Sequence, residues 1–166
     1  MGISVTNSLS LRLFYHSFSS VASGSKRISA STGTLSMADA SALRNAVRKL
    51  QDFKFEDATK AQIQEKLKAF TDTMNNALTS ASKYGRTDTS VKNAAAKLKR
   101  LNSEYSSSLQ KIGITVEKDG TMSLYENASK NYSVEKFSSF FDEDSKYLKE
   151  VYDAAKKITR KVDVRL

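Results

Sequence analysis

In Leu109-Gln-Lys-Ile-Gly-Ile-Thr-Val-Glu-Lys-Asp-Gly-Thr-Met-Ser-Leu124, the helical spacing of apolar residues stops at Gly113. Two short runs of alternating apolar and polar residues follow, one on each side of Asp119-Gly120. Asp-Gly between alternating runs is the strongest short-range signal for a β-hairpin. The sequence therefore predicts one small β-hairpin over 114–124, turning at Asp119 and Gly120, within a mainly α-helical protein.

One face of this predicted hairpin is apolar. Ile114 and Val116 share a face of the first run, and Met122 and Leu124 share a face of the second, because successive strand residues point to opposite sides. A two-stranded ribbon is only marginally stable by itself. We therefore expect the apolar face to pack against a helix.

Two long helices joined by a short turn are predicted before the hairpin. The first of them is expected over 59–83, with Gly85 as a left-handed C-terminal stop. The other is expected to begin at a cap among 88–90 and to continue to Gly113. The pair predicts an elongated antiparallel helical hairpin or bundle, roughly 35 Å tall.

Apolar residues on these two helices recur at alternating spacings of three and four, which is typical of a coiled-coil seam. The residues predicted for the seam are Leu67, Phe70, Met74, Leu98, Leu101 and Tyr105. The seam could pair within one molecule or with a partner. The short turn favours pairing within the molecule.

Further helices are expected on both sides of this pair. An earlier one is predicted from Ser36 to between residues 53 and 56, with Asp39 completing a capping box. Shorter C-terminal helices are predicted from Ser133 and from either Asp142 or Ser145. We interpret the acidic run 142–144 as a helix start rather than a cation site, because it lacks the ligand spacing of a calcium loop.

The first 35 residues are rich in serine and predict a largely flexible tail, followed by a single helical domain over 36–166. Within the tail, a short strand is conceivable only at Leu9–Phe14. We expect no signal peptide, because Ser10 and Arg12 interrupt the apolar residues there. No run of 18 apolar residues exists, so no membrane insertion is expected.

The chain carries 27 Lys and Arg against 18 Asp and Glu, a formal net charge of +9. The excess lies before residue 113, since residues 113–166 contain ten basic and ten acidic residues. A candidate basic face for nucleic acid consists of Lys92, Lys97, Lys99 and Arg100. The competing interpretation is an ordinary solvated helix face, because these residues alternate with the apolar seam.

No enzyme class is indicated by the sequence. Cysteine is absent, which excludes thiol nucleophiles and cysteine-based metal sites. The single histidine, His16, lies in the serine-rich segment without a partner motif. No phosphate-binding glycine loop or nucleophile elbow occurs. We expect a non-enzymatic protein without catalytic, cofactor-binding or metal-binding residues.

From about Asp72 to Val162 the layout resembles the C-terminal region of the flagellar cap protein family, also called flagellar hook-associated protein 2. The resemblance depends on a helix leading into Leu-x-x-Ile-Gly-Ile-Thr, then Lys-Asp-Gly, a second strand and a later pair of phenylalanines. The matching residues are Leu109, Ile112, Gly113, Ile114, Thr115, Lys118, Asp119, Gly120, Ser123, Leu124, Val134, Phe137, Phe140 and Phe141.

The resemblance implies a structural protein that assembles with copies of itself or with flagellar-type partners, in the extracellular flagellum. The chain is much shorter than cap proteins and lacks their terminal coiled coils, so it would be a small stand-alone relative. The alternative hypothesis is a basic helical nucleic-acid-binding protein, which would be cytoplasmic. Salt-dependent DNA binding distinguishes the two.

Overall fold

The computed structural model describes Leu11, residues 14–22 and residues 25–162. In chain order the elements are a 3₁₀ segment at His16–Val21, α1 (Ser25–Ser29), α2 (Thr32–Asp52), a 3₁₀ turn at Phe55–Asp57, α3 (Lys60–Tyr84), α4 (Thr89–Glu104), α5 (Ser106–Gln110), β1 (Ile114–Val116), β2 (Met122–Leu124), α6 (Ala128–Asn131), α7 (Val134–Phe140) and α8 (Lys146–Lys161). The predicted mainly α-helical fold with one β-hairpin is confirmed. Among the helices of these ranges, none has the length and apolar character needed to cross a membrane.

The four long helices pack in the ring order α2, α3, α4, α8. Short loops make α2 and α3, and likewise α3 and α4, antiparallel neighbours. α8 is antiparallel to α2, because Arg44 donates to Thr159 whereas Arg48, one turn later, donates to Tyr152. The expected pairing of α3 with α4 is therefore present, but the most extensive helix contact joins α2 to α3.

An aromatic cluster joins the short C-terminal helices to the bundle. The Phe55 ring lies 6.1 Å from that of Phe137 and 6.3 Å from that of Phe141, between centroids. Phe70 on α3 contacts Phe141 edge-on at 5.7 Å and Tyr147 at 6.2 Å. These five side chains are fully buried. The two Phe55 pairs are stacked and the two Phe70 pairs are edge-to-face, and such ring pairs add a favourable term to the burial of apolar area.

The hairpin has the predicted faces and turn. Ile114 pairs with Leu124 and Val116 with Met122. Gly120 has φ +87°, and Gly120 N–H donates to the Glu117 carbonyl, as in a three-residue loop that ends in a left-handed residue.

Asp119, the other predicted turn residue, is also held by local bonds. Asp119 Oδ1 accepts from the Thr121 N–H at 3.0 Å and from its hydroxyl at 2.6 Å. These bonds lower the pKa of the Asp119 carboxyl.

α2 begins four residues before the predicted start at Ser36. Ser31 is the N-cap, and its hydroxyl accepts from Thr34 N–H, which satisfies a free donor of the first turn. The expected capping box of Ser36 and Asp39 is therefore wrong. Asp39 lies inside the helix and is fully buried.

α3 has the expected limits, because Thr59 and Gln62 form a capping box at its N-terminus. Its C-cap residue, Gly85, has φ −60°, so the expected left-handed stop is wrong. Glycine is nevertheless required by space, since a Cβ at Gly85 would lie 2.8 Å from Lys92 Cα. α3 and α4 therefore approach each other closely at this turn.

α4 does not continue to Gly113 as predicted. It ends at Glu104, and Tyr105 leaves helical geometry with its ring 5.0 Å from that of Tyr147. The serines at 106–108 then form the short helix α5, and serine favours helix ends over helix interiors. The helical pattern in the sequence therefore spans two helices with a break between them.

The described residues before α2 (Leu11, 14–22 and 25–30) form an arm that packs on α2 and α3. The predicted flexible tail is therefore wrong for these residues. Leu11 and Phe14 are helical, which contradicts a strand there, and Tyr15 is fully buried. The rest of the predicted tail before Ser25, and residues 163–166 of the predicted domain, lie outside the described ranges.

Candidate functional site

The predicted seam lies inside the bundle. Its members on α3 and α4 belong to the hydrophobic core, with Tyr105 half-buried at the edge. The buried members are Leu67, Phe70, Met74, Leu98 and Leu101. These side chains pack against the molecule's own helices, so their apolar surface is already covered.

The predicted basic face on α4 does not form a single surface. Lys92 is exposed, whereas Lys97 and Lys99 are half-buried. Lys99 packs against the hairpin turn, where a Cβ at Gly120 would lie 2.8 Å from its Cγ. Arg100 pairs with Glu104 at 3.6 Å. Three of the four cations therefore lie in different surroundings: Lys92 in solvent, Lys99 against the hairpin and Arg100 in an ion pair.

A different basic surface runs along α2 and α8, and we call it the α2/α8 surface. One of its clefts, of about 390 Å³, lies between the two helices, and a second, of about 440 Å³, continues along α8. Asp153 lines both clefts. The cations of this surface are Arg44, Arg48, Lys149, Lys156, Lys157, Arg160 and Lys161.

Tyr152 organises the first cleft. The guanidinium carbons of Arg44 and Arg48 lie 5.2 Å and 5.0 Å from the centre of its ring, which places both cations over the aromatic face. Both arginines also donate to the Tyr152 hydroxyl, Arg44 at 3.1 Å. Arg44 donates a further bond to Thr159 at 3.3 Å. These contacts hold two like charges side by side at the junction of α2 and α8.

The charge of this surface is not balanced by neighbouring acids. None of its seven cations forms an ion pair with another residue of the described ranges. The ion pairs found in these ranges involve other side chains. Buried Arg44 Nε has no hydrogen-bond partner there either. The hydrogen bond from Arg44, together with both guanidinium charges, lowers the pKa of Tyr152. The arrangement can attract and orient an anionic group.

A second polar cluster lies at the opposite side of α2 and holds the arm. The carboxylate of Asp39 accepts two bonds from Arg27, at 2.6 Å and 2.9 Å, and one each from the hydroxyls of Tyr15 and Ser80, both at 2.7 Å. Asn76 donates to the Tyr15 hydroxyl at 2.9 Å. Burial, and then the charge of Asp39, raise the pKa of Tyr15, so the phenol stays protonated and donates.

This Asp39 cluster satisfies its own charges and hydrogen bonds. Burial opposes the charge of Arg27, but the bonds and charge of Asp39 prevail and raise its pKa. Every group in it has a partner within the chain. Its role is therefore to fasten the arm, whereas the α2/α8 surface has unpaired charge to offer.

Three amide side chains fasten the hairpin to the bundle. Asn75 on α3 accepts from the Met122 N–H at 2.7 Å and donates to the Met122 carbonyl at 2.8 Å, as a strand partner would. Asn102 on α4 donates to the Gly120 carbonyl at 2.9 Å. Gln64 donates to the Tyr125 carbonyl at 3.0 Å. The hairpin is therefore rigidly placed, with its turn resting on α4.

Sequence reasoning did not find the α2/α8 surface. The two arginines that it takes from α2, Arg44 and Arg48, lie 108 and 104 positions before Tyr152, and nothing in the sequence spacing links them. The sequence does contain a weaker signal. The predicted C-terminal helix carries a basic ridge at Lys149, Lys156 and Arg160, but acids elsewhere in 113–166 cancel it in a segment count.

The acidic run 142–144 lies in the turn before α8, where Asp142 accepts from the Asp144 N–H at 2.9 Å. The N-cap of α8 is Ser145, which decides between the two predicted starts. In the ranges that the structure covers, no group of histidine and acidic side chains has the arrangement of a metal site. In comparisons with known proteins, the chain matches no family model, no curated protein and no solved structure.

Proposed function

We propose that this protein is a non-enzymatic interaction protein that acts through protein–protein assembly, with the α2/α8 surface as its binding face. The observation that carries the proposal is the uncompensated charge there, where seven cations face one lining carboxylate. A surface of this kind raises the local concentration of an anionic partner and orients it. Its partner would be a protein with an acidic face.

The resemblance to the flagellar cap family supports an assembly role. The residues that carry it are structural, because Gly113 and Gly120 occupy left-handed backbone positions and Ile114, Phe137 and Phe141 are buried. They give the chain a rigid hairpin on a helical bundle. We propose that the chain is a relative of the cap family and is located in the extracellular flagellum.

The partner we propose differs from a second copy of this chain. At a formal net charge of +9, two copies repel each other over the Debye length of the solution. The predicted seam, which could have joined copies, is buried in the core. An acidic partner protein therefore fits better than self-association.

Nucleic acid is the second candidate, because the same cations could contact phosphates. In that case log affinity for random DNA falls steeply with log salt, and neutralising any of the seven cations weakens binding to all sequences similarly. A protein partner depends instead on a few of these side chains.

A photo-crosslinking amino acid placed at exposed Lys149 or Lys157, in cells of the natural host, tests the proposal. We expect one defined protease-sensitive adduct from these positions and none from exposed Lys92 on α4, which serves as the matched control. A nuclease-sensitive adduct would replace the proposal with the nucleic-acid alternative. Equal adducts from all three positions, or none from any, would refute a specific role for the α2/α8 surface.

A further inference from the structure

The geometry points to the cleft between α2 and α8 as the anchor point of that surface, and we infer that it takes the carboxylate of an acidic peptide segment. This inference rests on the proposed function and adds the identity of the bound group. The residues that line the cleft are Arg48, Gln51, Lys149, Tyr152 and Asp153.

Arg48 is the side chain best placed to bind the carboxylate. It is exposed, and its guanidinium is already oriented by the Tyr152 ring and hydroxyl. A guanidinium has five N–H donors, and Arg48 uses one of them within the described chain. Its remaining donors match the two oxygens of a carboxylate. Because the side chain is already held, binding costs less conformational entropy.

Three other side chains in or beside the cleft support the same ligand. Arg44 donates to Tyr152 and Thr159 and adds a second positive charge next to the same ring as Arg48. Lys149 and Gln51 supply further donors at the rim. The cleft volume of about 390 Å³ accommodates a carboxylate with its side chain.

An extended acidic segment fits better than a single free anion. The second cleft continues along α8 from the shared residue Asp153 and is otherwise lined by lysine and arginine. Lys149 and Lys156 lie seven positions apart on α8, about 10 Å along the helix axis. Carboxylates spaced two helical turns apart in an acidic helix, or three residues apart in an extended peptide, match this separation.

The position of Tyr152 distinguishes a peptide from nucleic acid. Proteins that bind single strands without sequence preference stack bases on exposed aromatic rings. Here two guanidinium groups lie over the Tyr152 ring, which lines the cleft between α2 and α8. Among the described lining residues of the second cleft there is no aromatic side chain. The ring therefore serves to hold the arginines rather than to stack on a base.

The test titrates hexaglutamate into the full-length protein by calorimetry at low salt, and follows the Arg44 and Arg48 Nε–Hε signals by NMR. We expect Arg48→Gln to weaken binding about tenfold, the effect of losing one charge-assisted hydrogen-bond pair. Arg48→Lys should recover only part of the loss, because it restores the charge without the planar donors. Arg100→Gln is the matched control, since it removes an exposed arginine charge from α4, and we expect less than about a twofold change.

Equal losses in Arg48→Gln and Arg100→Gln, or no shift of the Arg48 signal, would show attraction by net charge alone and overturn the inference. Tighter binding of a thymidine hexanucleotide than of hexaglutamate, with the same dependence on Arg48, would overturn the choice of carboxylate. If hexaglutamate does not bind at all, the inferred carboxylate site is also overturned. A crosslinked partner protein at Lys149 would still support the proposed function in each case, so the two can fail separately.

Discussion

The arm and the hairpin are both fastened to the outside of the bundle by buried or half-buried polar side chains, but one attachment is built on a charge and the other on neutral amides. The arm depends on one buried carboxylate, that of Asp39, which accepts hydrogen bonds from one cation and two hydroxyls. The hairpin depends on neutral amides that bond to backbone groups, chiefly Asn75 and Asn102. Removing the partner of a buried charge lowers the stability of the fold strongly, because the remaining charge is left unpaired. Removing a neutral amide costs less, because it leaves only unpaired dipolar groups.

Removing the charge at the centre of the arm attachment should cause the largest loss. Asp39→Ala leaves Arg27, whose side chain is 20% exposed, without its ion-pair partner and leaves the Tyr15 hydroxyl without its acceptor, whereas the Ser80 hydroxyl still has the Asn76 carbonyl. We expect a loss of about 3–5 kcal/mol in the free energy of unfolding, measured by urea denaturation.

The same variant should also free the arm. Trypsin should cut after Lys26 under conditions in which circular dichroism shows an intact bundle, because the main core is separate from the arm's apolar cluster. Asp72→Ala, which removes a half-buried acid from α3, serves as the control. A loss below about 1 kcal/mol, or an arm as resistant as in the wild type, would mean that apolar contacts alone hold it.

Asn102 provides the corresponding test for the hairpin. Asn102→Ala removes the donor to the Gly120 carbonyl and the acceptor for the Tyr147 hydroxyl, both in buried surroundings. We expect a loss of about 2–4 kcal/mol, the cost of two unsatisfied groups. Tyr147→Phe in the same background should recover part of it, since it removes the orphaned hydroxyl. Strictly additive effects in this double-mutant cycle would contradict a shared network.

The arm and the hairpin also differ in how well the sequence predicts them. The hairpin was predictable because its signal is local: Asp119-Gly120 between alternating runs fixes the turn and the faces. The arm was not, because Tyr15 and Arg27 reach Asp39 across 24 and 12 positions, with no period to reveal them. The serine-rich composition around Tyr15 and Arg27 indicated a flexible tail, and tertiary contacts overrode it.

The α2/α8 surface was unpredictable for a related reason. Counting charges along the sequence makes residues 113–166 neutral. In the fold, however, α8 carries six cations and only two acids, Glu150 and Asp153. The seam was predictable in its membership, since helical spacing identifies buried positions. The helix that packs most extensively against α3 could not be predicted, because the spacing of apolar residues does not say which helix lies opposite.

The turn of the hairpin gives a smaller and more local test. Gly120→Ala forces a side chain onto a residue with φ +87° and brings its Cβ to 3.0 Å from Lys99 Cα. We expect a loss of about 1–2 kcal/mol by thermal denaturation. Gly120→Asn separates the causes, because asparagine tolerates left-handed φ but has the same Cβ. A smaller loss in Asn than in Ala identifies backbone strain, and equal losses identify the contact with α4.

Asp72 lies on the same bundle as Asp39 but lacks a cluster of hydrogen-bond donors around its carboxylate. Of the four substitutions, that of Asp72 should change the free energy of unfolding least. Its side chain is 27% exposed and contacts Lys68 at 3.3 Å. Burial raises the pKa of Asp72, and the attraction of Lys68 only partly opposes this. Because the folded state then holds the proton more tightly than the unfolded chain, this residue costs stability as pH rises through the raised pKa.

Asp72→Asn removes that titration, so the variant should gain on the wild type as pH rises above the ordinary carboxyl value of 3.8. The gain should stay below about 1 kcal/mol, since the lost contact with Lys68 offsets it. Urea unfolding at pH 3.5, 5 and 7 measures the difference. A gap that is flat or that closes with rising pH would mean that Lys68 compensates fully.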